Sequence, residues 1–130
     1  MKIDHIAIWT TNIERLKNYY ITFFGAKSNE LYINEESGFS SYFLSFDSGT
    51  RIEIMNRPHI PENLNDIIKQ YLGYIHIALW IETKQEVNNK LELLKNAGYP
   101  ILRGPRITGD GYYEFETLDP DGNRLEIITK

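Results

Sequence analysis

The chain contains His5-Ile6-Ala7-Ile8-Trp9 and, 71 residues later, the nearly identical His76-Ile77-Ala78-Leu79-Trp80. A second pair of stretches keeps almost the same spacing, since Gly49-Thr50-Arg51-Ile52-Glu53-Ile54 matches Gly122-Asn123-Arg124-Leu125-Glu126-Ile127. Self-similarity at a fixed period is the sequence signature of a repeated structural unit. We therefore predict a single domain over residues 1–130, built from two copies of one module. The modules cover 1–57 and 73–130, and a connector, 58–72, joins them.

Each module is predicted to be a strand, a helix and three further strands, which is an α+β pattern. The first strands alternate between two faces, with His5 and His76 at their starts. Thr11 with Glu14, and Thr83 with Glu86, are the pattern of a capping box, and Gly25 and Gly98 are helix-ending residues. The remaining strands are predicted at Leu31–Ile33, Ser41–Phe46 and Thr50–Met55, then at Ile101–Arg103, Tyr112–Thr117 and Arg124–Ile128.

The connector shows a third helical pattern. It begins with Pro58 and Pro61, and apolar residues then recur at helical spacing. These residues are Leu64, Ile67, Ile68, Tyr71 and Leu72. We therefore predict a short amphipathic connecting helix.

Composition excludes several classes of function. The net charge is -4 with acids and bases mixed, so no basic patch indicates nucleic-acid binding. Cysteine is absent, which excludes disulfides, thiolate metal sites and a cysteine nucleophile. No apolar stretch approaches the roughly 20 residues that a membrane span needs. Asp4 and His5 interrupt the place where an export signal would be apolar. The expected location is the cytoplasm.

The repeated residues include two kinds of metal ligand. In the last strands, Ile52 and Ile54 oppose Glu53, and Leu125 and Ile127 oppose Glu126. If the apolar faces pack on the helices, each Glu shares the opposite face with the His of its module. A solitary strand Glu is usually solvated and a solitary His is usually structural, but recurrence at equivalent positions favours function. We therefore predict that His5, Glu53, His76 and Glu126 bind one divalent ion, a ligand set suited to zinc, nickel, cobalt, manganese or iron.

Three aromatic residues are candidate contacts for a small-molecule substrate. Trp9 and Trp80 follow the two histidines on the same strand faces, and Tyr113 follows the glycine-rich segment Gly109-Asp110-Gly111. Aromatic residues at such positions are equally compatible with a place in the core. Residues 109–111 are interpreted as a turn and not as a phosphate-binding loop, because no helix follows them.

These motifs resemble the vicinal-oxygen-chelate superfamily, and its glyoxalase I branch above all. The resemblance covers nearly the whole chain and includes Gly73-Tyr74-Ile75-His76-Ile77-Ala78 and Leu118-Asp119-Pro120-Asp121-Gly122. It implies paired βαβββ modules that form a curved, eight-stranded mixed sheet around a metal-binding cup. The order His, Glu, His, Glu is that of glyoxalase I. The resemblance also implies a homodimer, with modules paired within one chain or between two.

The resemblance implies a lactoylglutathione lyase-like activity that detoxifies methylglyoxal. Such an enzyme converts a 2-oxoaldehyde–thiol hemithioacetal to a 2-hydroxyacyl thioester through an enediolate, with Glu126 as the base, Glu53 opposite it and zinc or nickel favoured. Trp9 stands where bacterial glutathione-dependent glyoxalases carry arginine, which leaves the thiol open. The alternatives are an epimerase, an antibiotic-modifying thiol transferase, or a non-catalytic protein that binds a small molecule.

Overall fold

The computed structural model describes residues 1–130, which form two compact units, 1–63 and 64–130. The first unit contains β1 (His5–Trp9), α1 (Ile13–Phe24), β2 (Lys27–Ser28), β3 (Tyr32–Asn34), β4 (Phe39–Ser45) and β5 (Arg51–Asn56). The second contains β6 (His76–Trp80), α2 (Lys84–Asn96), β7 (Ile101–Ile107), β8 (Tyr113–Leu118) and β9 (Arg124–Thr129). The predicted α+β class is confirmed. Neither helix is long and apolar enough to span a bilayer.

Each unit has one mixed sheet, and the two sheets have matching strand pairings. The first has the order β1-β5-β4-β2, with β3 also paired to β4, and the second has the order β6-β9-β8-β7. In both, the first strand runs parallel to the last, so that Ala7 is opposite Glu53 and Ala78 is opposite Glu126. The short β2, which the sequence pattern did not indicate, pairs with β4 as β3 does. The sequence repeat is therefore also a repeat of strand register.

The core of each unit lies between its helix and one face of its sheet. In the first unit the buried apolar residues include Leu16, Tyr20, Leu44, Ile52 and Ile54, and in the second they include Val87, Leu94, Phe115, Leu125 and Ile127. Successive strand residues point to opposite faces. Burial of this set against the helices therefore leaves the residues between them on the other face of each sheet.

The helix starts agree with the capping prediction in one unit and differ in the other. Thr83 caps α2, and its hydroxyl accepts a hydrogen bond from the Glu86 backbone N–H at 3.2 Å. The predicted cap at Thr11 is wrong, because Asn12 occupies that position and its Oδ1 accepts from the Arg15 backbone N–H at 3.0 Å. Asparagine is at least as good a capping residue as threonine, so a shift of one residue keeps the helix start satisfied.

The predicted connecting helix is also wrong, because residues 58–72 contain turns but no helix. Asp66 Oδ1 accepts hydrogen bonds from the backbone N–H groups of Ile68 and Lys69, and this arrangement closes a single local turn. Isolated short helices are marginal in water and need a packed apolar face. Leu64 and Ile68, which would form that face, are about nine-tenths exposed. The periodic pattern therefore lacks the packing that would stabilise a helix.

Gly104→Ala is expected to destabilise the protein by about 2–5 kcal/mol. Gly104 has φ +92°, and a Cβ there would lie 2.6 Å from the Glu114 carbonyl oxygen and 2.9 Å from the Phe115 Cα. Urea unfolding measures the effect. Gly25→Ala is the matched control, because Gly25 has φ +67° and nothing within 4 Å of the added Cβ. It should cost about 1–2 kcal/mol from backbone strain alone. Equal losses in the two variants would contradict the steric argument.

Candidate functional site

The first unit brings His5 and Glu53 together on the sheet face that does not pack against α1. His5 starts β1, and Glu53 is opposite Ala7 in the neighbouring strand β5. The alternation of the strands places both side chains on one face. His5 Nε2 lies 3.6 Å from Glu53 Oε2, and the Glu53 side chain is 16% exposed. This pair offers one imidazole nitrogen and one carboxylate oxygen to a ligand.

Asp4 determines which nitrogen of His5 is available. His5 Nδ1 lies 2.9 Å from Asp4 Oδ2, and Arg51 also donates to that carboxylate. Hydrogen bonds from His5 and then Arg51 hold the pKa of Asp4 below its usual value. An ionised carboxylate can only accept, so Nδ1 is the donor in this contact. In the neutral imidazole, Nε2 is then left with its lone pair on the side of Glu53. A carboxylate behind a metal-ligating histidine commonly fixes the ring in this way.

The second unit repeats the pair with His76 and Glu126. Their Nε2 and Oε2 atoms are 3.2 Å apart, and Ala78 is opposite Glu126 just as Ala7 is opposite Glu53. The residue before His76 is Ile75, so no carboxylate stands at the position equivalent to Asp4. The two pairs are therefore equivalent in register but differ in the support of their histidines.

Glu126 lies beside two further buried carboxylates. Glu116 is its cross-strand partner, and one carboxylate oxygen from each of Glu114, Glu116 and Glu126 lies within 4.8 Å of the other two. Arg106 Nη2 donates to Glu114 Oε1 at 2.7 Å, and Arg124 Nη1 donates to Glu116 Oε2. These guanidinium groups compensate the charge of Glu114 and Glu116. Glu126 has no arginine at ion-pair distance, and its close partner is His76.

Burial raises the pKa of Glu126 above its usual value. The charge of His76 opposes this rise, while the charges of Glu114 and Glu116 add to it. In the first unit, Phe43 takes the place of Glu116 as the cross-strand partner of Glu53. The ring centroids of Phe43 and His5 are 5.1 Å apart. A carboxylate with a raised pKa is a stronger proton acceptor. The surroundings therefore favour Glu126 over Glu53 as a base.

The donor set fits a divalent ion. Imidazole nitrogen and carboxylate oxygen are ligands for borderline cations, and each unit presents one of each on a single sheet face. The structure thus brings the four predicted ligands together as two pairs, His5 with Glu53 and His76 with Glu126. The binding of one ion by all four residues stays a prediction.

The three predicted substrate contacts lie on different faces. Trp9 shares the face of His5 and is 40% exposed, and Trp80 shares the face of His76 and is 52% exposed. Tyr113 lies on the other face of its sheet, where its hydroxyl donates to Asn88 Oδ1 of α2 at 2.7 Å. That face packs against the helix. The two tryptophans, and not Tyr113, are therefore on the faces that carry the histidines.

Sequence reasoning missed Asp4, Glu114 and Glu116. The two glutamates alternate with Tyr113 and Phe115 in β8, and this alternation signalled two acids on one face. Which face they occupy depends on the pairing of β8 with β9. Asp4 directly precedes a candidate ligand, but no local pattern assigns its side chain to the His5 ring.

Comparison with known proteins relates nearly the whole chain to one family. A model of the Glyoxalase/Bleomycin resistance protein/Dioxygenase superfamily matches residues 2–127. A curated relative, the uncharacterized protein YqjT of Bacillus subtilis (strain 168), is 35% identical over 60 residues. That alignment covers 44% of this chain and 47% of the relative, so the chain matches about half of the relative's length.

Solved structures share the fold at low sequence identity. The trypanothione-dependent glyoxalase I of Leishmania major is 20% identical with a TM-score of 0.79, and the match covers 99% of this chain and 86% of that one. The fosfomycin resistance protein FosX of Listeria monocytogenes, in complex with Mn(II) and sulfate, is 19% identical with a TM-score of 0.73. That match covers 99% of this chain and 92% of FosX. At these identities the likeness establishes the fold alone.

Proposed function

The chain belongs to the Glyoxalase/Bleomycin resistance protein/Dioxygenase superfamily, and from this membership we propose that it is a metal-dependent, glyoxalase I-like isomerase of the cytoplasm. Its substrate would be the hemithioacetal of a 2-oxoaldehyde and a thiol, and its product a 2-hydroxyacyl thioester. The superfamily contains metal-binding members, of which FosX with Mn(II) is an example. We propose zinc or nickel for this chain, with cobalt, manganese or iron as alternatives.

The observation that carries the proposal is the matched pair of His and Glu at the same strand register in both units. Each pair offers two ligand atoms, and a borderline divalent ion is normally held by more protein ligands than two. We therefore propose that His5, Glu53, His76 and Glu126 hold one ion. The contact of His5 Nδ1 with Asp4 agrees with this role, because it leaves Nε2 as the ring nitrogen on the side of Glu53.

The proposed reaction moves two protons within the substrate. Glu126 accepts the proton from the thiol-bearing carbon, which leaves an enediolate, and returns it to the neighbouring carbon, which was the ketone. The hydroxyl proton of the thiol-bearing carbon passes to the former ketone oxygen, so that a thioester carbonyl and a new hydroxyl result. In this proposal Glu53 would be the second carboxylate, opposite Glu126. A divalent cation held by His5, Glu53, His76 and Glu126 would supply Lewis-acid stabilisation of negative charge on the substrate oxygens. Trp9 and Trp80, partly exposed on the same faces as the histidines, would cover apolar parts of the substrate.

The direct test is turnover of methylglyoxal with a panel of thiols, using protein reloaded with each candidate metal. We expect thioester formation with at least one combination of thiol and metal. Stoichiometric metal binding without turnover of any adduct would contradict the isomerase. That result would favour epimerisation, thiol transfer to an antibiotic, or binding of a small molecule without catalysis.

We also propose that the protein is a homodimer. Each unit contributes one His and one Glu, so that a complete ligand set needs two units, taken from one chain or from two. Mixing a His5→Ala chain with a His76→Ala chain distinguishes these cases. If the ligands come from different chains, mixed dimers contain one intact site and activity returns. Sedimentation at micromolar concentration tests the dimer itself, and a monomer would contradict it.

A further inference from the structure

The carboxylate that contacts the His5 ring is itself poorly held by the backbone. Asp4 directly precedes β1, and its side chain is 56% exposed. Its Oδ2 nevertheless lies 2.9 Å from His5 Nδ1. An exposed ion pair or hydrogen bond is weakened by the entropy that its side chains lose when they are held in one geometry. The contact with His5 therefore needs a further group that restricts the Asp4 side chain.

Arg51 is in the position to supply that restraint. It begins β5 and is opposite His5 in the parallel register of β1 and β5. Its Nη2 donates to Asp4 Oδ2, the same oxygen that contacts His5 Nδ1. Hydrogen bonds between a guanidinium and a carboxylate are stronger than those between neutral groups. Asp4 is thus held from the strand that also carries Glu53.

Phe43 holds the guanidinium in turn. The Arg51 Cζ lies 4.6 Å from the centroid of the Phe43 ring, a distance at which a guanidinium stacks on an aromatic face. The same ring meets the His5 ring edge to face, with an interplanar angle of 87°. Asp4, His5, Phe43 and Arg51 therefore form a closed circle of contacts in which each side chain touches two of the others.

The second unit repeats the arginine but not the circle. Arg124 is opposite His76 in the register and is the counterpart of the arginine in the first unit. Ile75 precedes His76 and has no side-chain acceptor. Arg124 donates instead to Glu116 and to the Ile67 carbonyl oxygen. Support of a histidine by an arginine and a carboxylate is therefore a property of the first unit.

We propose that Arg51 is a positioning residue that acts through Asp4 to keep the neutral His5 ring in the tautomer with its hydrogen on Nδ1. Either nitrogen of a neutral imidazole can carry the hydrogen, and the hydrogen bond of one nitrogen determines the state of the other. With Asp4 held in place, the lone pair of Nε2 is on the side of Glu53. The inference rests on the proposed function only where it assigns a metal to that lone pair, since the tautomer is a property of the metal-free protein.

The test is a long-range proton–nitrogen NMR correlation of the histidine rings in metal-free, full-length protein at alkaline pH. We expect the wild-type His5 ring to carry its hydrogen on Nδ1, and the exposed His59 ring supplies a reference signal in the same spectrum. Arg51→Gln should convert His5 to a mixture of both tautomers. Arg51→Lys, which keeps a charged donor, should restore most of the Nδ1–H form. A wild-type ring with its hydrogen on Nε2, or an unchanged tautomer in Arg51→Gln, would overturn the inference.

Arg57→Gln is the matched control, because it removes the same charge from the same unit. The Arg57 guanidinium lies over the Trp9 ring, with its Cζ 5.6 Å from the ring centroid. This variant should leave the His5 tautomer unchanged, and a change equal to that in Arg51→Gln would indicate a general effect of charge and contradict the proposal. Phe43→Leu is a second test in case Arg51→Gln does not fold. It removes the aromatic surface under Arg51 and should also produce a mixture of tautomers, and an unchanged tautomer would count against the role of Arg51.

Zinc affinity, measured by competition with a chelator, tests whether Arg51 acts through Asp4. We expect Arg51→Gln to weaken zinc binding about threefold, a modest loss because the arginine is one step removed from the ligand. In an Asp4→Ala background the same substitution should have no further effect, since the two changes break one chain of contacts. Equal losses in both backgrounds would overturn the inference. Absence of zinc binding by the wild type would contradict the proposed function, and the NMR result would still decide the role of Arg51.

Discussion

Glu126→Gln is expected to lower turnover of the hemithioacetal about a hundred- to ten-thousand-fold, the usual contribution of a general base. The amide retains an oxygen that can ligate a metal, but it cannot accept the proton. Burial and the neighbouring Glu114 and Glu116 raise the pKa of Glu126. This environment is the physical reason to assign it the proton transfer. Single-turnover kinetics, with metal content measured on the same sample, check the prediction.

Glu53→Gln is the comparison that makes the assignment specific. It is the same change at the equivalent register position, where Phe43 stands across the strand pair in place of a carboxylate. We expect weaker metal binding and a smaller loss of turnover per bound metal. A loss equal to or larger than that of Glu126→Gln would assign the base to Glu53. Glu92→Gln, on the exposed surface of α2, should have no effect on either quantity.

His76→Ala is expected to remove most of the bound metal. Loss of a group that only orients a ligand already costs about 10–100-fold in metal affinity, so loss of the ligand itself should cost at least as much. His76 is partly exposed, and its Nε2 contacts Glu126 without a supporting carboxylate behind the ring. The substitution should therefore remove the ligand with little effect on folding. Metal analysis after dialysis and circular dichroism measure the two effects.

Asp4→Ala provides a graded comparison for His76→Ala. It leaves both histidines in place and removes the acceptor of His5 Nδ1. The expected loss of metal affinity is about tenfold, because the contact is exposed. Asp47→Ala removes an exposed carboxylate paired with Lys27 and should leave metal affinity unchanged. Metal content in His76→Ala equal to that of the wild type would rule out His76 as a ligand.

Much of the fold could be predicted because its determinants are local or repeated. The alternation around Ile52 and Ile54, and around Leu125 and Ile127, determines which strand face is apolar. The helices then cover that face, and Glu53 and Glu126 are left on the other. The recurrence of His and Glu at the same module positions identified the pairs that the structure places at 3.6 and 3.2 Å. The two-residue alternation of the strands and the duplication of the module are both visible in the sequence. Neither prediction therefore requires knowledge of contacts between distant residues.

The connector shows the limit of such patterns. Leu64, Ile67 and Ile68 recur at helical spacing, yet residues 58–72 form no helix. A periodic apolar pattern stabilises a helix only through the surface on which it packs. Instead, Asp66 Oδ1 accepts local hydrogen bonds that close a single turn. Arg124, which is 57 residues from Ile67, donates from Nη2 to the Ile67 carbonyl oxygen.

The sequence by itself determined the duplication, the α+β class and the pairing of one His with one Glu in each module, because all of these follow from the order and alternation of residues. The tertiary structure alone decided the surroundings of those pairs. It placed Asp4 beside the His5 ring, and Glu114 and Glu116 beside Glu126. The contacts of Glu126 with Glu114 and Glu116 join separate strands, and the register shifts of β7 against β8 determine which arginine meets which glutamate. Strand register depends on the packing of the whole unit, and no local pattern specifies it.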